Sequence, residues 1–216
     1  MNLSITLIII ITTVAVSLYA NGKPELYSKL LFNPYQVFHR KEWYRIFSHA
    51  FIHDNNNIFH LGFNMYVLYV FGNGSQGDGV EFELIEKMGG IGIFYFLLIY
   101  LGGVFVATIP ALLKHRDNYN YNSVGASGAV SAVLFSMVAM HPISSRMGII
   151  FLPMLPAIVF GVLYIAYEKY MEKRGGTNIA HDAHIWGAVF GFLFTLIFVP
   201  DAFVNFISEV LGALGY

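Results

Sequence analysis

The chain of 216 residues contains no cysteine. That excludes disulfides, thiolate nucleophiles and cysteine-ligated metals, so any covalent chemistry falls to another side chain. Charge is scarce as well: Lys, Arg, Asp and Glu make up 12% of the residues, with a net charge of −1. No basic patch of the kind that phosphate backbones require is present, and no nucleic-acid partner is expected. The apolar stretches hold no Asp or Glu before Glu168, whereas a transporter or channel would want carboxylates inside them. Repeats of roughly 20–50 residues, the mark of solenoids, are absent. The glycines of "GNGSQGDG", Gly72–Gly79, lack a strand before them and a phosphate-loop lysine after them, and read as a loop.

What the chain has in abundance is apolar residues, 56% of the total, far above the soluble average. A membrane-spanning helix needs about 20 of them in sequence, fewer where the bilayer is thin. Six runs qualify, at 3–20, 58–72, 89–113, 124–140, 147–167 and 183–199. The expected fold is therefore all-α, a polytopic membrane protein with six transmembrane helices in a single domain over 1–216. The first run lacks a basic leader, and Leu18-Tyr19-Ala20 is a poor cleavage site, so it is read as a retained helix. The connection 21–57 is too long for a plain turn and holds Trp43, several tyrosines and many basic residues, so it is expected to be structured at the bilayer surface. The tail 201–216 is either a short interfacial helix or a loose terminus.

Ionisable and strongly polar groups inside spans are functional candidates by default. His60 and Asn64 are four residues apart on one helix face, and both can donate from a side chain. Two stacked donors suit either a developing oxyanion or a pair of interhelical hydrogen bonds. Ser127 stands in "GASGAVSAV" near the start of the fourth run, within reach of water. It is either a nucleophile or a small residue at a close helix contact. His184 is followed by Gly187 and Gly191 on its own face, and Gly128 with Ala132 forms a similarly smooth surface beside Ser127. If the two smooth faces meet, Ser127 and His184 come within hydrogen-bond reach as nucleophile and general base. His181 precedes the last run and is read as a residue at the mouth. Asp182, next to it, is expected to point elsewhere, which leaves a two-residue pair as the simpler chemistry. In a chain with 21 glycines the G-x-S-G string alone is weak; its order with the other motifs is what carries weight.

That order resembles the rhomboid family of intramembrane serine proteases, from about Trp43 to Gly191. Trp43 and Arg45 in "EWYRIFSHAFIH" are similar to the family's Trp-Arg element. His60 and Asn64 match H-x-x-x-N, Gly125 to Gly128 match G-x-S-G, and Ala183 to Gly191 match A-H-x-x-G-x-x-x-G. The resemblance implies a six-helix core in which Ser127 attacks a peptide bond and His184 acts as general base and then acid. It implies that His60, Asn64 and the Ser127 backbone N–H stabilise the oxyanion, with Gly125, Gly128, Gly187 and Gly191 in support. Substrates would be membrane proteins cut in or beside a transmembrane segment, with neither metal nor cofactor. Two departures stand out: Ser131 occupies a position where some relatives have an aromatic residue, and His53 to His60 is longer than in relatives. The family places the site on the extracytoplasmic side of a cell (inner) membrane. Ten of the 12 basic residues lie in the loops beside the site, which by the positive-inside rule argues for the reverse. The family expectation is preferred, because a long structured loop is a poor subject for that rule. A non-catalytic scaffold that binds transmembrane helices is the rival reading, and it predicts loss of the serine or histidine.

Overall fold

The computed structural model describes residues 4–55, 57–74, 78–148, 154–176 and 179–216. The protein is mostly helical. Helix α1 (Ile5–Asn21) opens the chain, and its first amides are capped by Ser4 and by the Glu81 carboxylate, which accepts from Ile5 and Thr6 at 2.7 and 2.8 Å. The connection that follows is structured: α2 (Pro24–Leu30), α3 (Pro34–Arg40) and α4 (Arg45–Ser48) precede a 3₁₀ turn at His49–Phe51. Proline at the first position starts α2 and α3, where its missing N–H is not needed. Arg45 is buried here, pairing with Glu42 and donating to the Ser28 and Leu31 carbonyls at 2.8 Å each. One of the charges that argues for orientation is thus consumed inside the loop.

Helix α5 (Ile58–Leu68) ends in a π-helical turn at Tyr69–Asn73, and α6 (Val80–Met88) leads to α7 (Ile91–Lys114). Helix α8 (Ser127–Met140) is the centre of the fold: every residue after Ser127 is buried. Strands β1 (Arg146–Met147) and β2 (Leu155–Pro156) pair antiparallel before α9 (Ala157–Arg174), α10 (His181–Phe198) and α11 (Ala202–Ala213). Each of the six apolar runs carries an α-helix, and α7 and α10 are long and apolar enough to cross a membrane. Large apolar side chains such as Phe63, Phe105, Leu163, Leu193 and Ile197 point outward and are exposed, the reverse of what water favours over so wide a surface.

The fifth run departs from expectation. Among the described residues its helix begins at Ala157, not 147: Arg146–Met147 is a strand paired with Leu155–Pro156, and Pro156 stands at the N-cap of the helix. The helix then runs past the expected end at 167 to Arg174. Residues 149–153 of that span, residue 3 of the first and 75–77 of the glycine-rich loop lie outside the described residues. The tail is helical over Ala202–Ala213, and Glu209 on it accepts from the Ile143 and Ser144 amides, tying α11 to the turn after α8.

Helices α8 and α10 approach backbone to backbone. A Cβ on Gly187 would fall on the Gly128 carbonyl, and one on Gly191 on the Ala132 carbonyl. Gly191→Ala is therefore expected to force the helices apart and destabilise the fold by about 1–3 kcal/mol, as other overpacked cores do. A lower thermal midpoint in detergent is the check; an unchanged midpoint contradicts the close approach.

Candidate active site

Ser127 is the first residue of α8, and its placement follows from the two before it. Gly125 has φ 108, a conformation that residues with a Cβ rarely adopt, and a Cβ there would also lie 2.9 Å from the His60 ring. Ala126 then turns the chain into the helix. The first amides of any helix have no intrahelical acceptor and carry the positive end of its dipole. Those of Ser127 and Gly128 therefore favour negative charge beside the serine. Both residues line a cavity of about 710 Å³, together with His60, Phe63, Thr108 and Asp182.

The segment leading to the serine is bound to the first connection along its length. Phe32 and Ser123 exchange backbone hydrogen bonds at 3.0 Å, Asn33 donates to the Tyr119 carbonyl and to Asn122, and Gly125 donates to the His49 carbonyl. His53 completes this brace. Its Nε2 accepts from the Ala126 amide at 3.4 Å, which places its proton on Nδ1, 3.0 Å from Ser17 Oγ. Ser17 Oγ in turn donates to the Phe51 carbonyl at 3.0 Å. Burial pushes the His49 imidazole down to about 4, and burial with His60 and His49 nearby pushes His53 down to about 3.

His184, 57 residues from Ser127, faces it: Nε2 and Oγ are 2.7 Å apart. The close approach of α8 and α10 at Gly128 and Gly187 brings them together, since a side chain at either glycine would hold the helices apart. His60 lies over Gly125 and packs edge-on against His53, with ring centroids 5.2 Å apart. Asn64 Nδ2 donates to the His60 carbonyl at 2.8 Å, one turn back on its own helix. The serine, both histidines and the two glycine pairs thus converge, while the Asn64 amide is engaged locally in this state.

His181 is not at the mouth. It is 6% exposed and its Nδ1 is 2.5 Å from Glu168 Oε2, because α10 begins at His181 and turns that face toward α9. The other carboxylate oxygen, Oε1, is 3.1 Å from Nδ1 of His184. That approach is oblique rather than an in-line hydrogen bond. Glu168 is the residue that sequence reasoning passed over. It stands in "YEKYMEKR", which reads as the charged end of a span; the signal available was Tyr164 four residues earlier, on the same face. Tyr164 Oη is 2.8 Å from Ser131 Oγ. Among the described residues, Glu168, His181 and His184 bring ligand atoms within 4.8 Å of one another, close enough to hold a metal ion. Each carboxylate oxygen faces one imidazole nitrogen.

Residues 40–201 match the family model of the Rhomboid domain. Over 138 residues, 61% of this chain, the sequence is 32% identical to RHOMBOID-like protein 12, mitochondrial, of Arabidopsis thaliana. Over 177 residues, 80% of the chain, it is 27% identical to Rhomboid-related protein 1 of Caenorhabditis elegans. The chain spans 40% and 44% of the lengths of these two relatives.

The buried brace makes stability depend on pH. His49 and His53 are neutral in the fold, whereas in the unfolded chain they take up protons below their ordinary value of 6.5. The unfolded state then binds more protons, so stability falls as pH falls from 6.5 toward 4, by at most about 1.4 kcal/mol per pH unit for each histidine. Thermal midpoints in detergent between pH 7.5 and 4.5 should decline, with a shallower slope in His53→Gln; identical slopes would remove His53 from the account.

Proposed function

The chain belongs to the rhomboid family, and from that premise we propose that it is an intramembrane serine endopeptidase working through Ser127 and His184. The observation that carries the reading is the 2.7 Å approach of His184 Nε2 to Ser127 Oγ beside a cavity at a helix N-terminus. In this reading Ser127 Oγ attacks the carbonyl carbon of a substrate peptide bond while its proton passes to His184 Nε2. The negative charge that develops on the carbonyl oxygen falls near the Ser127 amide, where the α8 dipole favours it. His60 adds a ring donor there. Asn64 adds a side-chain N–H donor there once its amide turns from the His60 carbonyl. The imidazolium then gives its proton to the leaving amine, which departs and leaves an acyl ester on Ser127. A water, deprotonated by His184, attacks that ester; the tetrahedral intermediate collapses, the carboxylate product leaves and the serine regains its proton.

The proposed setting is a single domain, 1–216, with six spans in a cell membrane and the cavity open to the extracytoplasmic side. The substrates are transmembrane segments of other membrane proteins, and the outward apolar surface of the helices supports contact with both lipid and such segments. No cofactor is required by these steps.

Purified protein is expected to cleave a test transmembrane substrate in detergent, with cleavage abolished in Ser127→Ala and in His184→Ala while both stay folded. Full activity in either variant contradicts the reading. Asn64→Ala should lower kcat by up to about 10²-fold with a smaller change in KM. A serine-directed fluorophosphonate should label the protein, and the label should be absent in Ser127→Ala alone among folded variants that keep His184.

A further inference from the structure

Glu168 is a buried carboxylate, and a buried charge is costly unless its oxygens are met by polar partners. Its side chain is 7% exposed, and its two oxygens face two imidazoles, His181 at 2.5 Å and His184 at 3.1 Å. The second of these is the histidine that meets Ser127. We propose that Glu168 is a positioning residue for His184, holding its ring and its tautomer; the inference rests on the Ser127–His184 reading above and extends that pair to three residues.

Tautomer is the first consideration. A carboxylate accepts but does not donate, so the 3.1 Å approach of Glu168 Oε1 favours the tautomer of His184 with its proton on Nδ1, although the contact is too oblique to be a hydrogen bond. Nε2 is then left as the acceptor that Ser127 Oγ–H requires at 2.7 Å. When Nε2 takes the serine proton, the resulting imidazolium stands against a fixed negative charge, the role of a third residue in triads built on other folds. The second consideration is placement. Ser127 and Ser131 share one face of α8, and Tyr164 and Glu168 share one face of α9. The hydrogen bond between the Ser131 and Tyr164 hydroxyls at 2.8 Å sets α9 in register with α8, so that Glu168, one turn on, meets the imidazole that faces Ser127. His181 holds the other oxygen and keeps the carboxylate from turning away. Asp182, the nearest alternative, accepts from the Ala183 amide at 2.8 Å and lines the cavity instead.

The experiment uses the full chain in detergent with a test transmembrane substrate, comparing wild type, Glu168→Gln and Ser127→Ala, with and without EDTA. Turnover is normalised to the serines that fluorophosphonate titrates to completion, so that a poorly folding variant is scored on its folded sites. The expected result for Glu168→Gln is a fall in kcat of about 10- to 100-fold with KM within about twofold. That is less than the roughly 10⁴-fold seen when an in-line triad carboxylate is lost, in keeping with the oblique contact. Fluorophosphonate labelling should slow by a similar factor. A wild-type kcat, or a loss confined to KM, overturns the positioning role while leaving the serine mechanism intact if Ser127→Ala is inactive. Loss of wild-type activity in EDTA also overturns it, since the cluster would then act through a metal. Activity in Ser127→Ala instead brings down the serine mechanism itself.

Discussion

Where α8 and α10 cross, no side chain separates them, and the rest of the site depends on that contact. Gly187 rests on the Gly128 carbonyl and Gly191 on that of Ala132, with no room at either glycine for a methyl group. Between helices in an apolar medium the hydrophobic effect offers little net attraction, so association relies on close van der Waals contact, which small residues permit. The contact also has a chemical consequence. It holds the start of α8 against the first turns of α10 at a distance that a serine and a histidine side chain can just bridge.

A helix end placed so closely must be kept from fraying, and the first connection does this. The strand-like exchange of Phe32 with Ser123, the side chain of Asn33 and the carbonyl of His49 all fasten the segment before Ser127. His53 fastens the last residue before the helix, accepting the Ala126 amide. A neutral imidazole suits the task because it accepts on one nitrogen and donates on the other; protonation would turn the acceptor into a donor and break the brace. At the opposite end of the bundle Glu81 and Glu209 bind backbone amides of α1 and of the turn after α8. Scarce charges are thus spent at helix ends and turns, where backbone groups lack partners.

Much of this was legible because it depends on spacing within one helix. His60 and Asn64 at i and i+4, the G-x-S-G string opening a helix, and the two glycines on the face of His184 are all properties of a 3.6-residue period. The aqueous reach of Ser127 followed from the polar residues just before it. What escaped were contacts between helices distant in sequence. Glu168 looks like one of several charges at the end of α9, and only the packing of α9 against α8 and α10 turns it inward. His181 looked like a mouth residue for the same reason. The start of α9 was misjudged because Met147 is apolar and continues the hydrophobic run, although it lies in a two-residue strand paired with Leu155–Pro156.

The sequence by itself determined the helical runs, the family and the residue types that meet around the serine, since apolar length, period and motif order are local properties of the chain. Tertiary structure decided how those residues are oriented. It set the 2.7 Å contact of Ser127 with His184, turned the Asn64 amide onto its own helix and brought a carboxylate from α9 against the histidine. The physical reason is that directions of approach depend on the crossing and axial register of separate helices. Many side chains along each interface set these together, and no single stretch of sequence encodes them.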